Sequence, residues 1–168
     1  MAVSWVLCNL SVGLPQRKHS TNILVTMALK IIDHGTPEYY QMVKMRDDIL
    51  RKPLGLGFTS EELDSEKENM LIAAFEDERM LGCCMLVEEQ PGTVRLRQMA
   101  VLNDLQGKGI GRALMNFAEN IARDRGYKIV RMHARAHAVG FYEKVGYKVK
   151  GDQFVEVTIP HVVMEKQL

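Results

Sequence analysis

The sequence predicts a single α/β domain of the α+β kind, in which one mixed β-sheet is flanked by helices. Three observations predict it. Apolar runs of strand length are joined by short polar turns, which make antiparallel hairpins. One glycine-rich turn instead opens a long amphipathic helix, the connection needed to cross over to a parallel neighbour. At 168 residues, 46% hydrophobic and 26% charged, the chain has the size and balance of one globular domain with a proper core.

The elements follow in order. Residues 27–33 (Met-Ala-Leu-Lys-Ile-Ile-Asp) make a natural first strand. Thr36 is placed as an N-cap and Pro37 at the first helical position. Tyr39, Met42, Val43, Ile49 and Leu50 then recur at helical spacing, with Arg46 interrupting the stripe. Residues 51–58 form a glycine-rich loop that is unusually apolar. Thr59-Ser60-Glu61-Glu62 is a capping box for a second, short helix to about Lys67. Residues 70–76 and 80–88 are strands joined by the polar turn 77–79, and Gln90-Pro91-Gly92-Thr93 turns the chain into a third strand over 94–102. The following helix carries Ile110, Leu114, Phe117, Ala118, Ile121 and Ala122 on one apolar stripe. Arg112, Asn116, Glu119, Asn120, Arg123 and Asp124 are expected to face outward, and Gly126 to end the helix. Residues 127–134 read as a strand, 138–145 as a short helix ended by Gly146, and 147–150 as the start of another strand. The segment 154–166 reads as one extended run containing Pro160.

Residues 27–168 are therefore expected to form the domain, and residues 1–26 a poorly ordered N-terminal extension. The apolar part of that extension, residues 2–14, lacks a preceding basic stretch and is too short to span a bilayer. A net charge of +1 provides no global field for nucleic acid or anionic membrane. The three cysteines, Cys8, Cys83 and Cys84, lack metal-ligand spacing and read as apolar thiols of a reduced, cytoplasmic protein. His133 and His137 are four apart but straddle a strand-to-helix break, so no metal site is expected.

The most informative stretch is Gln106-Gly107-Lys108-Gly109-Ile110-Gly111-Arg112, between a strand and the long helix. Glycines at alternate positions strip side chains from the turn, and the helix start adds free N–H groups and about half a positive charge. Lys108 and Arg112 add cations. These features describe a phosphate cradle. The Walker A spacing is absent, and the dinucleotide fingerprint fails because Arg112 or Leu114 falls where its third glycine belongs. A Gln/Arg-x-x-Gly-x-Gly/Ala turn is matched at every fixed position.

That turn resembles the pyrophosphate-binding turn of the GNAT superfamily of acyl-CoA N-acyltransferases. Two further stretches strengthen the resemblance. Phe141-Tyr142-Glu143-Lys144-Val145-Gly146-Tyr147 is similar to the family's aromatic pair followed by Gly-Phe/Tyr. Ile159-Pro160-His161-Val162-Val163-Met164 resembles the C-terminal pattern of the ElaA-like branch. The resemblance implies a centrally splayed sheet and acetyl-CoA as co-substrate. It implies that Gln106, Gly107, Lys108, Gly109, Ile110, Gly111 and Arg112 hold the pyrophosphate, with Phe141 nearby. Met99, Ala100 and Val101 would contact the pantetheine arm, the Val101 N–H would polarise the thioester carbonyl, and Tyr142 would act as general acid.

The family's carboxylate base on the strand before the turn is replaced here by Arg97-Gln98. Glu66, Glu68 and His133 are the alternatives, with His133 the candidate base because its strand end should lie beside the thioester. Arg95 and Arg97 share one strand face, as do Arg131, His133 and Arg135. If either set lines the acceptor cleft, an acceptor bearing a carboxylate or phosphate is favoured. The leading expectation is transfer of acetyl to a primary amine of a small-molecule acceptor in a ternary complex, by a monomer or homodimer. A non-catalytic acyl-CoA sensor and a protein-directed acyltransferase are the alternatives.

Overall fold

The computed structural model describes the backbone of residues 6–8 and the whole of residues 27–168. The elements are β1 (Val6–Cys8), β2 (Met27–Ile32), α1 (Pro37–Arg46), α2 (Ser60–Asp64), β3 (Met70–Glu76), β4 (Arg79–Gln90) and β5 (Thr93–Val101). They continue with α3 (Ile110–Asp124), β6 (Ile129–Arg135), α4 (Val139–Lys144), β7 (Lys148–Glu156) and β8 (Ile159–Gln167). Most of residues 1–26 lies outside the described residues, and so does the expectation made for them. Within that stretch, β1 pairs antiparallel with β2 from Val6↔Leu29 to Cys8↔Met27.

The described strands form one sheet in the order β1-β2-β3-β4-β5-β6-β8-β7. Every neighbouring pair is antiparallel except β5–β6, which α3 connects as a parallel crossover. The mixed sheet expected from the sequence is thus present. Its central strands are buried on both faces. Along β3, Met70, Ile72 and Ala74 join the cluster under α3, with Leu114, Met115 and Ala118. Leu71, Ala73 and Phe75 join the cluster under α1, with Tyr39, Met42 and Met45. This alternation is the period of two that a strand imposes. Cys83 and Cys84 are free, buried thiols that divide between the same two clusters.

The caps behave as the sequence predicts. The Thr36 side chain accepts from the Tyr39 N–H at the start of α1. Thr59 and Glu62 make a reciprocal capping box on α2, and Gly126 and Gly146 take positive φ beyond α3 and α4. Three local expectations are overturned. Arg46 does not interrupt the α1 stripe: it is fully buried on it, its charge matched by Glu66. The helix then widens into a π-helical turn, Asp47–Arg51, that carries Ile49 and Leu50. Glu119 does not face outward from α3 but is buried, because Lys166 Nζ reaches its two carboxylate oxygens at 2.9 and 2.7 Å. The terminal run 154–166 is broken into β7 and β8 by a tight turn at Val157 and Thr158, with φ of 48° and 63°. Among the described residues, no helix is long and apolar enough to cross a membrane.

Candidate active site

The site begins where β5 and β6 part. Their parallel pairing covers only Thr93↔Ile129 to Leu96↔Met132, although β5 runs on to Val101 and β6 to Arg135. From Arg97 onward the β6-facing edge of β5 therefore carries backbone groups without a strand partner among the described residues. The splay is sharpened by a bulge on the other edge. Cys83 opposes Ala100 while Met85 opposes Arg97, so β5 holds one extra residue, and Gln98 adopts φ +50° there. Such a conformation costs a non-glycine residue about 1–3 kcal/mol and needs support from its surroundings.

The support comes from α1. Arg46 Nη1 donates to Gln98 Oε1 at 3.2 Å and to Glu66 Oε1 at 2.8 Å, while Nη2 donates to Glu66 Oε2 at 2.8 Å. Tyr39 donates its hydroxyl to the same carboxylate at 2.8 Å, and the guanidinium stacks over Phe58, 5.0 Å from the ring centroid. Burial, followed by the Glu66 contact, pushes the Tyr39 phenol well above its ordinary value. Both Glu66 oxygens are committed to this network. Glu66 is thereby removed as a candidate base, and becomes a structural anchor for the bulge.

Beyond the bulge, Met99, Ala100, Val101 and Gln106 line a cleft of about 420 Å³ together with Tyr142 and His133. Gln106 Nε2 donates to Asn103 Oδ1 at 3.2 Å, which seats its side chain across the strand end. The three glycines of the turn serve different purposes. Gly107 and Gly109 take φ of +78° and +89°, and an added Cβ on either would meet open space. Gly111 has ordinary backbone, but a Cβ there would lie 3.2 Å from both Met99 Cε and Phe141 Cζ. The first two allow the left-handed turn, and the third allows close packing. Helix α3 starts at Gly109 with no side-chain cap on its first N–H groups, so the donors of its first turn remain available. Lys108 is exposed beside them. An open concave backbone with free donors fits a pyrophosphate, and the unpaired β5 edge fits an amide-bearing arm.

Tyr142 is buried on α4, with Phe141 edge-on at 5.0 Å between ring centroids. Its hydroxyl donates to Met99 Sδ at 3.6 Å, and burial pushes its phenol above the ordinary value of 10.0. Phe141 does not itself line the cleft; it packs on Gly111 and Tyr142.

The other end of the cleft is built by β5, β6 and the β7–β8 turn. Arg95, Arg97, His133 and Arg135 line it, whereas Arg131 does not, being paired with Glu165 and Glu89. His133 Nδ1 lies 2.6 Å from Arg95 Nη2 and 2.9 Å from Glu156 Oε2. One ring nitrogen cannot accept and donate at once, so these contacts alternate with the position of its proton. Burial pushes the Glu156 carboxyl up, but the His133 hydrogen bond, then the charges of His133, Arg95 and His161, hold it below the ordinary value. Glu156 was not a candidate from sequence. It reaches the cleft through the 157–158 turn, whose two β-branched residues carry no glycine or asparagine signal. Ile49, from the π-helical turn after α1, and Leu54, just beyond it, form part of the remaining wall. Among the described residues no group of three His, Cys, Asp or Glu side chains is placed to hold a metal ion.

Comparison with known proteins agrees with this geometry. Residues 57–168 match the model of the acetyltransferase (GNAT) domain. The Bacillus subtilis protein YjcF, named an uncharacterized N-acetyltransferase, is 30% identical over 107 residues, covering 63% of this chain and 74% of that protein. Bacillus subtilis YyaT is 32% identical over 76 residues, or 45% of this chain, and the match spans only about half of its length, 51%. Among solved structures, Escherichia coli ElaA superposes with a TM-score of 0.72 at 17% identity, covering 83% of this chain and 99% of that one. An aminoglycoside 6'-N-acetyltransferase complexed with coenzyme A gives 0.69 at 20% identity, covering 83% and 96%. The splayed sheet, the glycine turn and these likenesses together place the chain in the GNAT acetyltransferase family.

Proposed function

We propose that the protein transfers an acetyl group from acetyl-CoA to a primary amine of a small-molecule acceptor, by direct attack in a ternary complex. The observation that carries this reading is that one cleft joins the unpaired end of β5 and Tyr142 to a second, polar end lined by His133 and Glu156. The first end suits a thioester donor and the second an amine. In the balanced reaction the amine nitrogen bonds to the thioester carbonyl carbon, the C–S bond breaks, and the sulfur leaves as a thiol after gaining a proton. The nitrogen loses one proton in forming the amide.

Each residue has a part in that sequence. The turn 106–112 and the start of α3 bind the pyrophosphate, and Met99, Ala100 and Val101 hold the arm in place of a strand. The Val101 N–H faces the developing oxyanion, a contact worth about 3–4 kcal/mol of barrier in such sites. Tyr142 delivers the proton to sulfur, and its raised pKa keeps it protonated at neutral pH. His133 takes the amine proton through Nε2 when its Nδ1 proton is held by Glu156.

The test is incubation of purified protein with acetyl-CoA and a panel of free amines, polyamines and peptides, following thiol release. Turnover with free amines supports the reading. Acetyl-CoA binding without turnover on any member would make the protein an acyl-CoA sensor, and preference for peptides would make it a protein-directed acyltransferase.

A further inference from the structure

The acceptor end of the cleft has a charge that the reaction alone does not require. Among the described residues, four guanidiniums, those of Arg51, Arg95, Arg97 and Arg135, line the cleft against a single carboxylate, Glu156, in a chain whose net charge is only +1. Arg51 is matched from outside the cleft by Glu62 at 3.0 Å. Arg95 approaches Glu156 no closer than 3.8 Å. Arg97 and Arg135 have no carboxylate within ion-pair distance among the described residues; Arg135 donates only to the Leu50 carbonyl, at 3.2 Å. Arg95 Nε is buried with no hydrogen-bond partner. A buried guanidinium donor without an acceptor is costly, and an anion in the cleft would stabilise the crowded guanidiniums around it.

These cations are separate from the phosphate cradle. Arg95 and Arg97 lie before the bulge, while the glycine turn begins beyond Val101. Six residues, at most about 20 Å of chain, separate Arg95 from Val101, with the bulge at Gln98 between them. Burial, then the charge of Arg97, pushes the Arg95 pKa down, against the opposing charges of Glu156 and Glu89.

We infer that the acceptor is an amine that also carries an anionic group, a carboxylate or a phosphate, held by Arg95 and Arg97 with Arg135 beside them. This rests on the acetyltransferase reading above and narrows its acceptor. A polycationic amine would meet an excess of like charge there, which disfavours it. The amine is then left to the His133–Glu156 pair, Glu156 being the one carboxylate among the described residues that line the cleft.

Matched pairs test this. The kcat/KM for 5-aminovalerate is compared with that for 5-aminovaleramide, that for O-phosphoethanolamine with that for ethanolamine, and putrescine is included as the polycation. At least a ten-fold preference for one anionic member is expected, and whichever pair shows it identifies carboxylate or phosphate. In Arg97→Gln that preference should fall several-fold, chiefly through KM, with acetyl-CoA affinity retained by calorimetry. Equal rates within pairs, or putrescine as the best acceptor, would overturn the inference while leaving the acetyltransferase reading intact. If no amine turns over, binding of the same pairs to the protein–coenzyme A complex decides: preferential binding of the anionic members upholds the anion site although the transferase reading fails, and equal binding removes it.

Discussion

Arg46 and Gln98 lie 52 residues apart in the chain, and the Arg46 guanidinium donates to the Gln98 side chain at 3.2 Å. A fully buried cation on α1 thus holds the one residue of β5 that bulges with positive φ. The same cation is held by Glu66, and Glu66 by Tyr39. The core under α1 and the shape of the cleft are therefore one hydrogen-bonded unit.

Breaking that unit at one point should be severe. Glu66→Ala leaves Arg46 charged and buried without its partner, and should destabilise the protein by about 3–5 kcal/mol in urea unfolding. The triple change Tyr39→Phe, Arg46→Met, Glu66→Leu replaces the three buried members with apolar volume and should restore most of the stability. Thiol release should stay depressed in the triple variant, because Gln98 has lost its donor. A Glu66→Ala protein within about 1 kcal/mol of the parent would show that the pair contributes little.

Tyr142→Phe removes a hydroxyl that donates to a thioether at 3.6 Å, a weak acceptor, so folding should be nearly unaffected. Turnover should drop about ten-fold or more if the phenol delivers the leaving-group proton, with acetyl-CoA affinity unchanged by calorimetry. Because burial holds the phenol protonated well above pH 10, the parent enzyme should show no alkaline loss of kcat from this group up to that pH. Full activity in Tyr142→Phe would exclude it from proton delivery.

The turn glycines should fail in different ways. Gly109→Ala forces a side chain into φ +89°, costing about 1–2 kcal/mol and crowding the phosphate cradle, so acetyl-CoA affinity should weaken markedly. Gly111→Ala has no such backbone strain but presses on Met99 and Phe141. Met99 accepts from Tyr142, so kcat should suffer more than affinity. Identical affinity losses in both variants would contradict this division.

Alkaline pH should unfold the protein through its buried acids. Burial pushes the Cys83 thiol from 9.0 up to about 12, and Cys84 moves the same way. The folded values are raised, so their contribution is complete below about pH 9 and declines as pH rises toward 12, where the unfolded chain has already released its protons. The slope should approach about 1.4 kcal/mol per pH unit for each buried thiol. Tyr39, Tyr142 and Tyr147, also raised by burial, steepen the loss above pH 10. Urea midpoints at pH 7.5, 9 and 10 measure it, and a flat series would contradict it.

Signals that act over a few residues were legible in the sequence. The Thr36 and Thr59 caps, the glycine turn and the α3 stripe each arise from neighbours within one helical turn. Features created by distant partners were not. Arg46 looked like an interruption because Glu66 is 20 residues away, and Glu119 looked solvated because Lys166 is 47 away. Glu156 was hidden by a turn of valine and threonine, residues that disfavour the conformation they adopt. At the cleft, the proposed donor end rests on a contiguous motif, while the proposed acceptor end is assembled from β5, β6 and the β7–β8 hairpin.

The four rungs that join β5 to β6, Thr93↔Ile129 to Leu96↔Met132, work as a fulcrum. Strands about 4.8 Å apart at the last rung diverge from there, so a small change of angle at Leu96 and Met132 is magnified at the far lips of the gap. The bulk of those two side chains, both buried in the core under α3, therefore bears on how widely the two strands part, though neither is a group with any chemistry of its own.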